Sequence, residues 1–143
     1  NKGEPLKPLS KVISGGEMSR LMLAIKTKTS DINEISTYIF DEIDAGISGN
    51  TAKVVAEKFA DISRGKQIIA VSHLAQIAAM ADVNFLIYKT ETDSGKTVTN
   101  ISELPPDQKR SELIRLLGGD EKSEAAATLA SELMHAAEQY KNK

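Results

Sequence analysis

The chain has 143 residues, of which 41% are hydrophobic and 27% are charged, a composition that fits one ordinary globular domain. Its net charge is -2 and aromatic residues make up 4%, which excludes a general electrostatic attraction to nucleic acid and a stacking surface for single strands. It has no cysteine, no apolar run that could span a bilayer and no recognisable signal peptide, so we expect a cytoplasmic protein without disulfides or thiolate metal sites.

Residues 1–9 are predicted to form an extended linker. They include Gly3, Pro5 and Pro8 and show neither helical nor strand periodicity. We therefore expect the folded lobe at residues 10–143. Because the lead-in has no helix cap, we expect this chain to continue from a longer protein.

A helix is predicted to begin at Ser14, because Ser14 and Glu17 have the spacing of a capping box. The following apolar residues recur at helical spacing and predict one inward face, formed by Met18, Leu21, Met22 and Ile25. Gly15 and Gly16 are each about 1 kcal/mol less favourable than Ala inside a helix. They also leave backbone amides accessible to an anion. The pattern fits either a capped structural helix or a helix that begins against a phosphate.

The central feature of the sequence is a short strand that ends in two acids. Residues 35–40 are rich in β-branched and aromatic side chains and are too few for a typical helix, which predicts a buried strand. Asp41 and Glu42 follow at its C-terminal end, the edge of an α/β sheet where ligands bind. Asp41 is suited to hold a hydrated Mg²⁺, and Glu42 to polarise a water molecule. The alternative is a solvated acidic turn.

A helix and a second strand are predicted to complete a βαβ unit. The helix covers residues 50–62, and its inward face is expected to contain Ala52, Val55, Ala56, Phe59 and Ile62. Residues 67–71 are predicted to form a buried strand parallel to the first. Ser72 is placed to cap a further helix, with Leu74, Ile77, Ala78 and Ala81 inward. His73 would share the sheet edge with the two acids, although an isolated histidine is more often a surface residue.

An antiparallel hairpin is predicted next, with strands at residues 83–89 and 96–102 around a turn at Gly95. Gly95, Lys96 and Thr97 resemble the end of a phosphate-binding loop. Thr90 occupies the position of the other glycine that this loop requires, and a hairpin is the wrong context for it. We therefore expect no nucleotide contact from the hairpin.

Two helices are predicted to end the chain. The first begins after Pro105 and reaches Leu117, where glycines stop it. The second spans residues 122–140, and its inward face is expected to contain Ala126, Leu129, Ala130, Leu133, Met134 and Ala137. His135 is expected on the surface of this helix.

Three stretches, in this order, resemble the C-terminal half of an ABC-type ATPase head. Ser14-Gly15-Gly16-Glu17 is similar to the signature motif, Tyr38-Ile39-Phe40-Asp41-Glu42 to the Walker B motif, and His73 to the switch histidine. Glu42 is followed by Ile43-Asp44 and not by the Pro-Thr usual in transporters. In this respect the chain resembles the SMC-like branch. Within that branch, the chain resembles bacterial proteins that repair DNA double-strand breaks. The resemblance implies an α/β half-head, with a mainly parallel sheet, an antiparallel hairpin and flanking helices.

The resemblance also implies roles for single residues in ATP hydrolysis. Asp41 would support Mg²⁺ through a water molecule, Glu42 would activate the attacking water, and His73 would hydrogen-bond the γ-phosphate. Asp44 and Ser48 belong to the loop after the Walker B motif and are expected to contact nucleotide. Most relatives have Asp where Ser48 stands, so this position departs from the family pattern.

Two heads sandwich ATP in proteins of this class, which implies several partners. Ser14, Gly15, Gly16 and Glu17 would contact the nucleotide bound to the partner head. The Gly-x-x-x-x-Gly-Lys-Ser/Thr loop is absent from the sequence and belongs to the N-terminal half in this class. We therefore expect the chain alone to be inactive. It would need that half and a second head, and would bind or tether DNA as part of the full-length protein at the bacterial nucleoid.

Two other interpretations stay open from the sequence. The chain could be a head fragment of another SMC-like or ABC ATPase, which the residues preceding it would reveal, since a coiled coil there excludes a transporter. It could also be a non-catalytic α/β interaction module that keeps its acidic loop for structural reasons. A response of the full-length protein to Mg²⁺-nucleotide would separate this last interpretation from the others.

Overall fold

The computed structural model describes Gly3, Pro5, Lys7 and Pro8, and then residues 11–29, 34–120 and 122–143. The chain divides into two units, Asn1–Ser72 and His73–Lys143. The predicted linker lies mostly outside the described residues. The division into a lead-in at 1–9 and a lobe at 10–143 stays a prediction.

The first unit contains a parallel strand–helix–strand arrangement preceded by a helix. Its elements are α1 (Gly15–Thr29), β1 (Thr37–Phe40), α2 (Gly49–Ser63) and β2 (Gln67–Ala70). β1 and β2 pair in parallel, which confirms the predicted βαβ unit. α2 buries the five predicted inward residues together with Ala60. The ring centroids of Phe59 and Phe40 lie 5.1 Å apart, so α2 is fastened to β1 directly before the two acids.

The sheet of the first unit is covered by the described residues on one face. Tyr38 and Phe40 are buried on that face, whereas Ile39 is 72% exposed on the other, and its neighbour Ile69 is 45% exposed. The prediction that both strands are fully buried is therefore wrong. Alternate residues of a strand point to opposite sides of the sheet, and the helices of this unit pack on one side.

Helix α1 buries a different face from the predicted one. Leu21, Met22 and Ile25 are exposed and Met18 is half-buried, while Gly16 and Leu23 are buried. The helix itself is confirmed, but the prediction that its apolar face points inward is wrong. Helical periodicity identifies an apolar face without identifying the element that covers it.

The second unit combines a hairpin with three helices. Its elements are α3 (Ala75–Met80), β3 (Phe85–Glu91), β4 (Thr97–Glu103), a 3₁₀ turn (Pro106–Gln108), α4 (Lys109–Leu116) and α5 (Glu124–Lys141). β3 and β4 form an antiparallel pair, as predicted, in a sheet separate from the parallel pair. The core of this unit is small and rich in alanine and is formed by Ala75, Ala79, Leu113, Ile114, Ala126, Ala130 and Ala137.

Helix α3 begins differently from the prediction. Its N-cap is Leu74, and no side-chain cap hydrogen bond is present there among the described residues. The Ser72 hydroxyl binds the side chain of Asp44 instead, so the predicted cap by Ser72 is wrong. The residues that α3 buries are Ala75, Ile77 and Ala79, whereas Leu74, Ala78 and Ala81 are half-buried.

Helix α5 follows the prediction with one exception. Leu129 is 43% exposed and lies outside the buried face that Ala126, Ala130 and Ala137 form. His135 is exposed, as predicted, and its Nε2 lies 2.9 Å from the side-chain nitrogen of Gln139. Within the described part of the chain, no helix has the length and apolar character needed to cross a membrane.

Candidate functional site

The start of α1 is a closed capping box. The Ser14 hydroxyl accepts the Glu17 amide at 3.3 Å, and Glu17 Oε2 accepts the Ser14 amide at 2.9 Å and the Ser14 hydroxyl at 2.8 Å. These hydrogen bonds from Ser14 lower the pKa of the Glu17 carboxyl group below its ordinary value. The predicted helix start is confirmed, and Glu17 holds a negative charge at neutral pH at this end of α1.

The loop that follows β1, residues 41–45, carries the two predicted acids and is here called the Glu42 loop. Asp41 and Glu42 are both exposed, and Asp41 Oδ1 accepts the Glu42 amide at 2.9 Å. Glu42 has a backbone φ of 53°, the left-handed region that few residues with a side chain adopt. Such a conformation costs about 1–3 kcal/mol and persists where the surroundings enforce it.

Gly15 and Gly16 place α1 directly against the Glu42 loop. A Cβ atom at Gly16 would lie 2.8 Å from Ala45 Cβ and 2.9 Å from the Glu42 carbonyl oxygen. A Cβ atom at Gly15 would lie 2.9 Å from Glu42 Oε2. The sequence suggested that these glycines allow close approach of a phosphate. In the structure, they allow close approach of the loop that carries Glu42, and they bring the signature-like and Walker B-like stretches together.

Two polar side chains one turn further along α1 complete this contact. The Ser19 hydroxyl donates to the Asp41 carbonyl at 3.0 Å, and Arg20 Nη1 donates to the carbonyls of Ile43 at 3.1 Å and Ala45 at 2.8 Å. Sequence reasoning missed both residues, because their partners lie 22 to 25 positions away in the chain. The signal available was a serine and an arginine two and three residues after the capping box, on the side of α1 that also carries Gly16.

Asp44 and Ser48, the predicted residues of the loop after the Walker B-like motif, have different environments. Asp44 is buried, at 6% exposure, and its Oδ2 accepts the Ser72 hydroxyl at 2.7 Å. Ser48 is exposed and is the N-cap of α2, where the described residues include no side-chain cap hydrogen bond for it. A nucleotide contact by either residue stays a prediction.

His73 is the first residue of the second unit and is exposed. It directly follows Ser72, whose hydroxyl binds Asp44 in the first unit. Its approach to Asp41 and Glu42 stays a prediction.

Comparison with known proteins shows which proteins this chain resembles. DNA repair protein RecN of Bacillus subtilis is 45% identical over 141 residues, which are 99% of this chain and 24% of that protein. RecN of Halalkalibacterium halodurans is also 45% identical over 141 residues, 99% of this chain and 25% of the relative. This chain is homologous to RecN. RecN of Treponema pallidum is 44% identical over 95% of the chain and 24% of its own length. The resemblance to bacterial DNA repair proteins is thereby confirmed.

The chain spans about a quarter of the length of the RecN proteins that it matches. Its fold is similar to a solved structure from work on ATP-driven dimerization and DNA-stimulated activation of SMC ATPases. The TM-score is 0.52 at 24% identity, over 83% of this chain and 70% of that one. This similarity confirms the predicted α/β fold. No protein-family profile matches the chain. Homology to RecN does not favour the two alternatives, a head fragment of another SMC-like or ABC ATPase and a non-catalytic α/β interaction module.

Proposed function

We propose that this chain is the C-terminal half of the ATPase head of a RecN-like protein that repairs DNA double-strand breaks. The observation that carries the proposal is the direct contact between the capped start of α1 and the Glu42 loop. It joins two stretches that resemble the signature and Walker B motifs in a chain homologous to RecN. ATP is the proposed substrate, and its hydrolysis is coupled to DNA binding or tethering by the full-length protein.

Glu42 and Asp41 have the chemistry that the proposal requires. Glu42 presents an exposed carboxylate beyond the end of β1, where it orients the attacking water and accepts its proton. Asp41 is also exposed, and a carboxylate oxygen suits Mg²⁺, which retains most of its waters when bound. When bound, Mg²⁺ neutralises charge on the phosphate oxygens. The remaining ligands would come from the N-terminal half, which carries the phosphate-binding loop.

The other predicted residues complete the proposed site. Ser14, Gly15, Gly16 and Glu17 contact the nucleotide of a second head, with the end of α1 directed at its phosphates. His73 donates a hydrogen bond to the γ-phosphate on its own head. Asp44 and Ser48, in the loop that leads into α2, are proposed to contact nucleotide.

The N-terminal half of the same protein is the proposed partner for the exposed apolar surface of the first unit. Ile39 and Ile69 are exposed on one face of the sheet, and Met22 and Ile25 on α1. Exposed apolar neighbours, such as Ile39 and its strand partner Ile69, mark an interface. Without that half, the chain lacks the phosphate-binding loop, and we expect no ATPase activity from residues 1–143 alone. The full-length protein is proposed to act in the bacterial cytoplasm, at the nucleoid.

The proposal is tested by Glu42→Gln in the full-length parent. ATP binding should persist, while turnover falls by about 10²–10⁴, the range for loss of a general base. The control is Glu57→Gln on α2, which leaves the loop unchanged. Unchanged turnover in Glu42→Gln would remove this carboxylate from the mechanism.

The head–head arrangement is tested by mixing two inactive variants. Ser14→Arg places a bulky cation at the end of α1, so each head still binds ATP but the heads no longer close. A mixed dimer of Ser14→Arg and Glu42→Gln has one site with both lesions and one intact site. The mixture should regain part of the turnover that each variant lacks. If subunits exchange and both variants are folded but no activity returns, Ser14 does not act on the partner's nucleotide.

A further inference from the structure

Arg20 holds the Glu42 loop from the side of α1. Its Nη1 donates to the carbonyl oxygens of Ile43, at 3.1 Å, and Ala45, at 2.8 Å, two hydrogen bonds that we call the Arg20 clamp. Both acceptors lie after Glu42, while Ser19 holds the carbonyl of Asp41 before it. Ser19 and Arg20, which are adjacent on α1, therefore hydrogen-bond the backbone before and after the proposed catalytic residue.

The conformation of the Glu42 loop requires stabilising contacts from outside the loop. Glu42 has a positive φ of 53°, a conformation that is unfavourable for a residue with a side chain and persists where neighbouring groups fix it. The hydrogen bonds within and next to the loop are local: the Glu42 amide donates to Asp41 Oδ1 at 2.9 Å, the Ala45 amide to the Glu42 carbonyl at 3.1 Å, and the Ile47 amide to the Asp44 carbonyl at 3.2 Å. The clamp supplies a charged donor from a separate element.

We propose that Arg20 is a positioning residue that keeps Glu42 in place for hydrolysis. The proposal rests on the proposed function for its catalytic consequence and on the hydrogen bonds of Arg20 for its structural one. A guanidinium group offers several donors in a rigid plane, whereas a lysine ammonium is a single compact charge. Ser14 caps α1, so the clamp connects the end of α1 that faces one nucleotide to the carboxylate that acts on another.

The test compares Arg20→Lys, Arg20→Ala and the control Lys28→Ala in the full-length parent. Lys28 is an exposed cation on the same helix, near its C-terminal end. We expect Arg20→Lys to lower kcat about 10–100-fold with the Kd for ATP unchanged, since displacement of a reacting group by about 1 Å can cost this much. Hydrogen–deuterium exchange should become faster at the Ala45 and Ile47 amides in both Arg20 variants. Lys28→Ala should match the wild type in both measurements.

The outcomes are separable. A kcat within twofold of wild type in Arg20→Lys and Arg20→Ala overturns the proposal, and so does a weaker Kd for ATP at unchanged kcat. A fall in kcat without faster exchange also overturns it, because Arg20 would then act in another way. If Arg20→Ala unfolds, Arg20→Lys decides. If the wild-type protein hydrolyses no ATP, the proposed function fails. Faster exchange in the Glu42 loop of the Arg20 variants would then still support the clamp, and unchanged exchange would refute it.

Discussion

The Ser72 hydroxyl donates a 2.7 Å hydrogen bond to the carboxylate of Asp44 and so joins the residue that precedes His73 to the Glu42 loop. Asp44 is 6% exposed, so water has little access to this carboxylate. A buried acceptor that loses its donor retains its desolvation cost. The bond therefore holds the loop from the side of β2, while Arg20 holds it from α1.

Ser72→Ala should lower the free energy of unfolding by about 1–3 kcal/mol, the cost of removing one partner of a buried polar group. The matched control is Ser48→Ala, an exposed serine for which the described residues include no side-chain cap bond, with an expected change within about 0.5 kcal/mol. Urea denaturation measures both. Equal effects of the two substitutions would contradict a stabilising role for the Ser72–Asp44 bond.

Alanine at Gly15 and at Gly16 should act differently. A Cβ atom at Gly16 meets the Glu42 and Ala45 carbonyl oxygens at 2.9 and 3.1 Å, so the loop must move, and we expect a loss of about 1–3 kcal/mol. A Cβ atom at Gly15 meets the end of the Glu42 side chain, which is flexible and can move away. The higher helix propensity of Ala offsets the cost of this contact by up to about 1 kcal/mol. Gly15→Ala should therefore leave stability intact but lower turnover of the full-length parent.

Gly65→Ala is the control for both variants, because no described atom outside its chain neighbours lies within 4 Å of the added Cβ. Thermal or urea denaturation gives the stability, and a steady-state assay gives the turnover. Equal stability of Gly15→Ala and Gly16→Ala would mean that the close contact between α1 and Ala45 contributes nothing to folding.

The capping box should make stability depend on pH. Hydrogen bonds from Ser14 lower the pKa of Glu17 from its ordinary value of 4.5. The stabilisation is therefore fully present above pH 4.5 and is lost as the pH falls through the lower pKa of the folded state. The stability difference between wild type and Glu17→Gln should be largest near neutral pH and shrink below pH 4.5.

Denaturation in urea at a series of pH values measures this difference. In a Ser14→Ala background, the pH-dependent part should be smaller, because the hydroxyl bond to Glu17 is lost. A difference that stays constant from neutral to strongly acidic pH would show that the charge of Glu17 does not stabilise the start of α1.

The isolated chain should self-associate through its exposed apolar faces. Ile39 is 72% exposed at the centre of β1, opposite the exposed Ile69 on β2. Ile39→Lys should reduce association without a large loss of stability, because the side chain is not buried. Thr51→Lys, on the exposed side of α2, is the control. Light scattering over a range of concentrations measures the mass, and a wild-type chain that stays monomeric at high concentration would refute this prediction.

The secondary-structure elements and the order of the motifs could be predicted from the sequence. The capping spacing of Ser14 and Glu17, the apolar face of α2 and the hairpin are encoded by neighbouring residues, and each was predicted correctly. The alternation of strand and helix was sufficient to predict that β1 and β2 pair in parallel. Local spacing carries such information because the helix and strand periods are fixed by backbone geometry.

The contacts between distant residues depend on tertiary packing and could not be predicted from the sequence. The apolar residues of α1 were visible in the sequence, but burial of Gly16 and Leu23 in their place depends on which elements pack against the helix. Arg20 binds carbonyls 23 and 25 positions away, and the Ser72 hydroxyl binds Asp44 across 28 positions. Contacts between residues so far apart leave no periodic pattern in the local sequence. They exist because the fold brings the start of α1 and the ends of both strands to one loop, where backbone carbonyls and a buried carboxylate require donors.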